Sequence, residues 1–210
     1  QIKIAFAGDF APIKVDSNKD LSIQSKLIEF TKEQDFFFLN LEAPITESNE
    51  KRLKAGLNLK LDANSIHLLK ELNVHGVSLA NNHIFDYNNI GVKDTISILE
   101  ENNFKYWGLG ENKFEATKPY IFEKKGIKIG VISYAEHEFN WIDDELPCTS
   151  MLDPASNVLQ IIELKKKVDH VIVFSHLGPE NWDYPSPRQV RIFHNFIDAG
   201  ASVIINSHSH

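Results

Sequence analysis

"GVSLANNHIFDYNNIG", residues 76–91, is the stretch on which the fold turns. Its first five residues, Gly76 to Ala80, read as a short, mostly apolar strand. That strand runs directly into Asn81, Asn82, His83 and Asp86, and a helical pattern takes over at residues 91–103. A strand that ends on ligand-type side chains and gives way to a helix is the repeating unit of an α/β sheet. Strands joined by such crossovers run parallel, and ligands bind at the edge formed by their C-terminal ends.

The same unit recurs on both sides. The strand-like run "IKIAFAG", residues 2–8, leads into Asp9, and a helical period covers residues 21–34. A second apolar run, "DFFFLNLEAPIT" at 35–46, is interrupted by Asn40, Glu42 and Pro44. Residues 47–62 are polar and irregular, a loop with room for one short strand, and residues 63–73 read as a helix. Downstream, 118–126 and 127–135 form a hairpin across Lys124, Lys125 and Gly126. Asp153-Pro154 has the chemistry of an N-cap followed by a first-turn proline ahead of a helix at 155–168. After a strand at 169–175, Ser186-Pro187 repeats that start signal for a helix over 188–199, which Gly200 stops. A last strand, 201–206, precedes His208 and His210. No internal repeat stands out, and one α/β domain over residues 1–210 is expected.

Composition narrows the function classes. With 42% hydrophobic and 24% charged residues, the chain can bury a sizeable core. Its 29 acidic against 22 basic residues give a formal charge of -7, with no basic run beyond Lys165-Lys166-Lys167. That argues against a nucleic-acid partner, which needs a concentrated cationic face. One cysteine, Cys148, excludes an internal disulfide framework and a cysteine-rich metal site. No stretch reaches the ~20 apolar residues of a membrane span.

Five groups fall just after apolar strands: Gly8-Asp9, Asn40-Leu41-Glu42, Asn81-Asn82-His83, Ser175-His176 and His208-Ser209-His210. Each has an ordinary alternative. Asp9 suits a turn or cap, Asn81-Asn82 a turn, and His83 a surface position. His67, His75, His170 and His194 lie on helices or strand starts without ligand-like neighbours and read as structural. Taken together, though, mixed carboxylates and imidazoles select Mn, Zn or Fe rather than Ca or Mg. The candidate ligands are Asp9, Glu42, Asn82, His176, His208 and His210, for one or two divalent ions. Glu42 has the two oxygens needed to bridge a pair. Such ions hold a phosphate and activate a water. His83 is then placed to protonate the leaving oxygen, with Asp86 fixing its tautomer. Asn40, Asn81, Glu136 and Glu180 are expected to meet substrate, with Trp141, Trp182 and Tyr184 nearby. Lys51, Arg52, Lys54 and Lys60 either meet an anion or sit on a solvated loop.

The order "GD", "NLE", "NNHxxD", "HxG", "HxH", with "NLEAPIT", "SLANNHIFDYNNIG" and "IDAGASVIINSHSH", resembles the bacterial capsule-synthesis and poly-gamma-glutamate-synthesis family. That family is a branch of the calcineurin-like metallophosphoesterases, and the resemblance runs from residue 2 to residue 210. It implies a sandwich of two mixed β-sheets flanked by helices, with further strands after the "HxH" motif, so the chain is expected to be part of a longer protein. It also implies that His176 and His208 serve one metal and His210 and Asp9 the other, with Glu42 where many relatives have a bridging aspartate and His83 as the catalytic histidine. Ala11 stands where the superfamily has a metal-binding histidine, Asn206 where it has glycine, and Ser209 where it has proline.

Two functions follow from the resemblance. One is a metal-dependent hydrolase of phosphoester or related bonds, acting on a phosphorylated or polyanionic substrate beside the capsule-polymer synthesis machinery. The other is a non-catalytic surface accessory that binds an anionic polymer through a degenerate metal site. An extracytoplasmic, membrane-anchored location is implied by the resemblance alone.

Overall fold

The computed structural model describes residues 1–13, 22–138 and 147–210. Their contacts separate into two compact units: Gln1–Val77 with His83–Tyr106, and Ser78–Asn82 with Trp107–His210.

In the first unit the elements are β1 (Ile4–Phe10), α1 (Ser25–Lys32), β2 (Phe36–Leu41), a 3-10 turn (Ala63–Ser65) leading into α2 (Ile66–Glu71), β3 (Gly76–Ser78), α3 (Asn88–Glu101) and β4 (Lys105–Trp107). The sheet order is β1-β2-β3-β4, with β1 and β2 parallel. The aromatic run of β2 is buried from Phe37 to Leu41, as expected of a strand covered on both faces. Register fixes the first candidate ligand. Phe6 pairs with Phe38 and Asp9 with Asn40, three steps on β1 against two on β2. An extra residue of this kind kinks the strand and re-aims the side chains beyond it. Here it sets Asp9 opposite Asn40, whose amide donates to Asp9 Oδ1 at 2.6 Å.

The second unit holds β5 (Leu109–Gly110), α4 (Lys113–Ala116), β6 (Tyr120–Lys124), β7 (Ile127–Ala135), β8 (Cys148–Thr149), α5 (Pro154–Lys165), β9 (His170–His176), α6 (Pro187–Asp198) and β10 (Val203–Ser207). Its main sheet is mixed, in the order β10-β9-β7-β6. The β6–β7 hairpin is antiparallel, whereas β7, β9 and β10 are parallel to one another. Lys125 and Gly126 at the hairpin tip both have positive φ, at 52° and 75°, as a type I′ turn requires. The core joins Ile132 and Tyr134 of β7, Val171 and Val173 of β9, Ile161 and Leu164 of α5, and Ile192 and Phe196 of α6.

Helix α6 begins as its sequence signals. Ser186 Oγ accepts from the Gln189 amide at 3.2 Å, and Gln189 Oε1 accepts from the Ser186 amide at 2.7 Å, a capping box of about 1 kcal/mol. The 3% exposed Gln189 also donates from Nε2 to the Leu177 carbonyl at 3.1 Å, so the helix start grips the loop that leaves β9.

The α/β class, with parallel and mixed sheets flanked by helices, matches the expectation. Differences are local. Helix α3 starts at Asn88 rather than Gly91. The short elements β4, β5, α4 and β8 carry too few residues to show a period. Residues 47–62 form no helix or strand, and Leu61 makes only an isolated bridge with Ile45.

Candidate functional site

Ligand-type side chains stand at the strand ends of both units. In the first unit Asp9 ends the bulged part of β1 and is partly buried. Glu42 follows β2, is 3% exposed, and has its amide tied to the Phe10 carbonyl at 3.1 Å. Asn40, expected to meet substrate, is buried and holds Asp9 instead.

His83 and Asp86, expected to work as an acid–base pair, lie together in the first unit. His83 Nδ1 lies 2.7 Å from Asp86 Oδ2. Asp86 is 1% exposed and collects further donors: the Leu59 amide at 2.7 Å to Oδ2 and the Lys54 ammonium on Oδ1. Its backbone carbonyl takes the Arg52 amide at 2.8 Å and Asn58 Nδ2 at 3.0 Å. An acceptor-only carboxylate on Nδ1 keeps the proton there and leaves Nε2 as the lone-pair nitrogen.

Neither reading of the basic loop fits Lys54. Its side chain is 2% exposed and forms an ion pair with Asp86, because a buried carboxylate needs an opposite charge. Lys60 is likewise used internally, donating to the Ser48 carbonyl at 2.6 Å and sitting 5.0 Å above the Tyr87 ring.

In the second unit, register brings the ligand-type residues together. His176 ends β9, with Ala135 of β7 opposite it on one side and Ser207 of β10 on the other. Asn82, 5% exposed, places Oδ1 3.0 Å from His176 Nε2. On the far side of that ring, His176 Nδ1 is 3.0 Å from Ser207 Oγ. Ser207 Oγ also reaches the Ser175 carbonyl at 3.5 Å, which can only accept. The hydroxyl can therefore serve either tautomer of His176: it donates to Nδ1, or it turns its proton to the Ser175 carbonyl and accepts from Nδ1–H. Asn82 Oδ1 accepts from Nε2–H, and with Ser207 accepting at Nδ1 instead, the same Nε2 and Oδ1 become two lone-pair donors for a cation.

His208 packs beside His176 with ring centroids 4.6 Å apart, and His210 lies 6.3 Å beyond it. Both take left-handed backbone, with φ of 86° and 51°, unusual for a side chain with a Cβ and typical of functional positions. His208 is buried and His210 exposed. Within the second unit Asn82, His176 and His208 are thus buried side chains of ligand type, with the exposed His210 beyond them; Glu42 and Asp9 are ligand-type side chains of the first.

The other residues expected to meet substrate have varied surroundings. Glu136 accepts from the Gly178 amide at 2.9 Å and pairs with Arg188. Partial burial pushes its carboxyl up. The hydrogen bonds from Arg188 and Gly178, with the Arg188 charge, outweigh that and hold it below the usual glutamate range. Glu136 therefore anchors the loop after His176. Gly178 itself has φ of +111°, and a Cβ there would come within 2.0 Å of Gln189 Nε2. Asn81 is fully buried. Glu180 is exposed, as are Trp182 at 70% and Tyr184 at 80%, so they stand in solvent. Trp141 lies outside the described residues.

Asn206 ties β10 to β9 through its side chain: Oδ1 accepts from Ser175 Oγ at 2.9 Å and Nδ2 donates to the Leu177 carbonyl at 3.2 Å. Of the histidines read as structural, His75 accepts from the Phe37 amide at 3.2 Å, and His170 meets Ser202 Oγ at 3.1 Å.

Three side chains that matter here carried no clear sequence signal. They are Lys54, Ser207 and Glu138, the last with Oε2 3.2 Å from His208 Nε2.

Residues 3–210 match the family model described as "Bacterial capsule synthesis protein PGA_cap". The chain is 30% identical over 180 residues to "PGA biosynthesis protein CapA" of Bacillus subtilis (strain 168), covering 84% of this chain and 47% of that protein. It is 31% identical over 191 residues to "Capsule biosynthesis protein CapA" of Bacillus anthracis, covering 86% and 46%. A Mycobacterium tuberculosis protein described as "Probable polyglutamine synthesis accessory protein" is 25% identical over 190 residues, covering 84% and 50%. The chain spans about half the length of the curated relatives it matches. Among solved structures, a hypothetical protein from Thermus thermophilus aligns with a TM-score of 0.54 at 22% identity, over 88% of this chain and 60% of that one, a likeness of fold.

Proposed function

This chain belongs to the bacterial capsule synthesis protein family, and from that premise we propose that it is a metal-dependent hydrolase of the metallophosphoesterase type serving capsule or poly-gamma-glutamate synthesis. The ligands we assign are Asp9, Glu42, Asn82, His176, His208 and His210, for one or two ions of Mn, Zn or Fe. The observation that carries the reading is the buried His176 imidazole, with Nδ1 on Ser207 and Nε2 meeting Asn82 Oδ1 at 3.0 Å. Nε2 and Asn82 Oδ1 are ligand-type atoms side by side, and Ser207 can hold the ring in the ligating tautomer from behind.

A bound divalent ion supplies Lewis acidity toward a phosphoryl oxygen and an activated water. The chain's own groups do the rest. Asn82 donates an oxygen without adding negative charge, which keeps such a site electrophilic. His83, its Nδ1 fixed by Asp86, has Nε2 available to exchange a proton at the leaving oxygen. The substrate class is a phosphorylated or polyanionic molecule, and the working partner is the polymer-synthesis machinery. The proposal extends to an extracytoplasmic, membrane-anchored setting, supported by family resemblance. No helix among the described residues is long and apolar enough to cross a membrane.

One observation favours the non-catalytic reading: Ala11 stands where the superfamily supplies a metal-binding histidine. The two separate by experiment. Elemental analysis of the purified protein is followed by hydrolysis of an aryl phosphodiester with Mn or Zn added, for the wild type and His83→Ala. Bound metal with turnover lost in His83→Ala supports the enzyme. Bound metal without turnover in the wild type supports the accessory role, and absence of metal overturns the ligand assignment.

A further inference from the structure

Glu138 has no part in the function proposed above, yet it meets one of the assigned ligands. Its carboxylate Oε2 lies 3.2 Å from His208 Nε2, while His208 Nδ1 on the other side of the ring is buried from solvent. The approach follows from register. Ala135 and Ser207 flank His176 at the ends of their strands, so the residues just past them, Glu138 after β7 and His208 after β10, emerge at the same edge of the sheet. The two side chains differ in their surroundings. Glu138 is 44% exposed and His208 only 6%, so the carboxylate reaches the ring from the solvent side.

We infer that Glu138 is a positioning residue for His208: it accepts the Nε2–H proton and so presents the buried Nδ1 lone pair as the metal-binding atom. An imidazole has one proton to place when neutral, and an acceptor-only partner decides which nitrogen keeps it. A carboxylate on the far nitrogen of a ligand histidine sets both tautomer and ring orientation and raises the basicity of the ligating nitrogen. His176 is the converse case: Ser207 meets Nδ1 from behind and Nε2 faces Asn82 Oδ1, so the two neighbouring rings would bind an ion through opposite nitrogens.

The inference rests on the metal reading for its purpose, and two measurements keep the two apart. The first is performed on metal-free protein, using the long-range 1H–15N spectrum of the imidazoles, with the His208 signal identified by its loss in His208→Asn. The expected result is a neutral Nε2–H tautomer in the wild type, retained in Glu138→Gln, whose amide oxygen accepts the same proton, and mixed in Glu138→Ala. An unchanged tautomer in Glu138→Ala overturns the inference whether or not metal binds.

The second measurement is titration with Mn2+ and with Zn2+ by calorimetry, with circular dichroism confirming that each variant is folded. Glu138→Ala is expected to weaken binding roughly 10- to 100-fold, the usual effect of losing such an outer carboxylate, and Glu138→Gln to keep most of the affinity. Equal loss in both variants would mean that Glu138 coordinates the ion itself, and it overturns the positioning role. A wild type that takes up no metal ends the metal reading, and the spectrum alone then decides whether Glu138 governs His208.

Discussion

Lys54→Met is the sharpest test of the acid–base pair. The substitution keeps the aliphatic stem and removes the ammonium that faces Asp86, with the two side chains 2% and 1% exposed. Asp86 would retain the Leu59 amide at 2.7 Å and His83 Nδ1 at 2.7 Å, but lose its only full positive charge among the described residues when His83 is neutral. Breaking a buried pair by removing one partner costs about 3–5 kcal/mol, because the remaining charge stays in a poorly solvating site. The two surviving hydrogen bonds place the expected loss near the lower end, about 3 kcal/mol. For a chain of 210 residues that lowers Tm by about 6–12 °C. Thermal unfolding followed by circular dichroism, with urea titration as a second readout, measures it. Adding Asp86→Asn to Lys54→Met should recover most of the loss, since a neutral amide needs no counter-charge and its oxygen still accepts from Leu59. A cost below about 1 kcal/mol for Lys54→Met would refute the reasoning, since that is what a solvent-exposed pair gives.

Three further outcomes follow from the second unit. Because the folded-state carboxyl of Glu136 is held below its ordinary value, Glu136→Gln should cost stability above about pH 4.3, the unfolded glutamate value. The difference from wild type should vanish as pH falls through the lower folded value, which urea denaturation at a series of pH values will show. Gly178→Ala forces a Cβ against Gln189 in a left-handed backbone, so a loss of about 1–3 kcal/mol is expected; thermal unfolding reads it. Ser207→Ala removes the acceptor behind His176 and should weaken Mn2+ binding roughly 10-fold or more with little change in Tm, measured by calorimetry on the folded variant.

Most of the fold could be read in the sequence because its strands and helices are long enough to show a period and carry local punctuation. Pro154 and Ser186-Pro187 mark helix starts, Gly200 a stop, and Lys125-Gly126 a hairpin, and each does so through backbone chemistry that acts within a few residues. The elements that escaped were short or depended on pairing. The two-residue strands β5 and β8 exist only because Leu109 faces Thr149 and Gly110 faces Cys148, about forty residues apart in the chain. The bulge in β1 was equally hidden, since it is a relation between two strands rather than a property of one.

The site divides along the same line. Asp9, Asn82, His83, His176 and His208 announce themselves by residue type at a strand end, the part of the arrangement that parallel topology dictates. Their supports do not. Lys54 sits in a polar loop that composition alone assigns to solvent, and it is drawn inside by Asp86, a carboxylate embedded in the apolar run "HIFDY". That isolated acidic residue was the available clue, because a carboxylate flanked by Phe85 and Tyr87 must find a cation or several donors. Ser207 and Glu138 meet their histidines from opposite sides, on β10 and after β7, so their roles depend on strand order β10-β9-β7. Residue type thus nominates candidate ligands, whereas the partners that bias each imidazole's tautomer are neighbours that only the assembled sheet brings near.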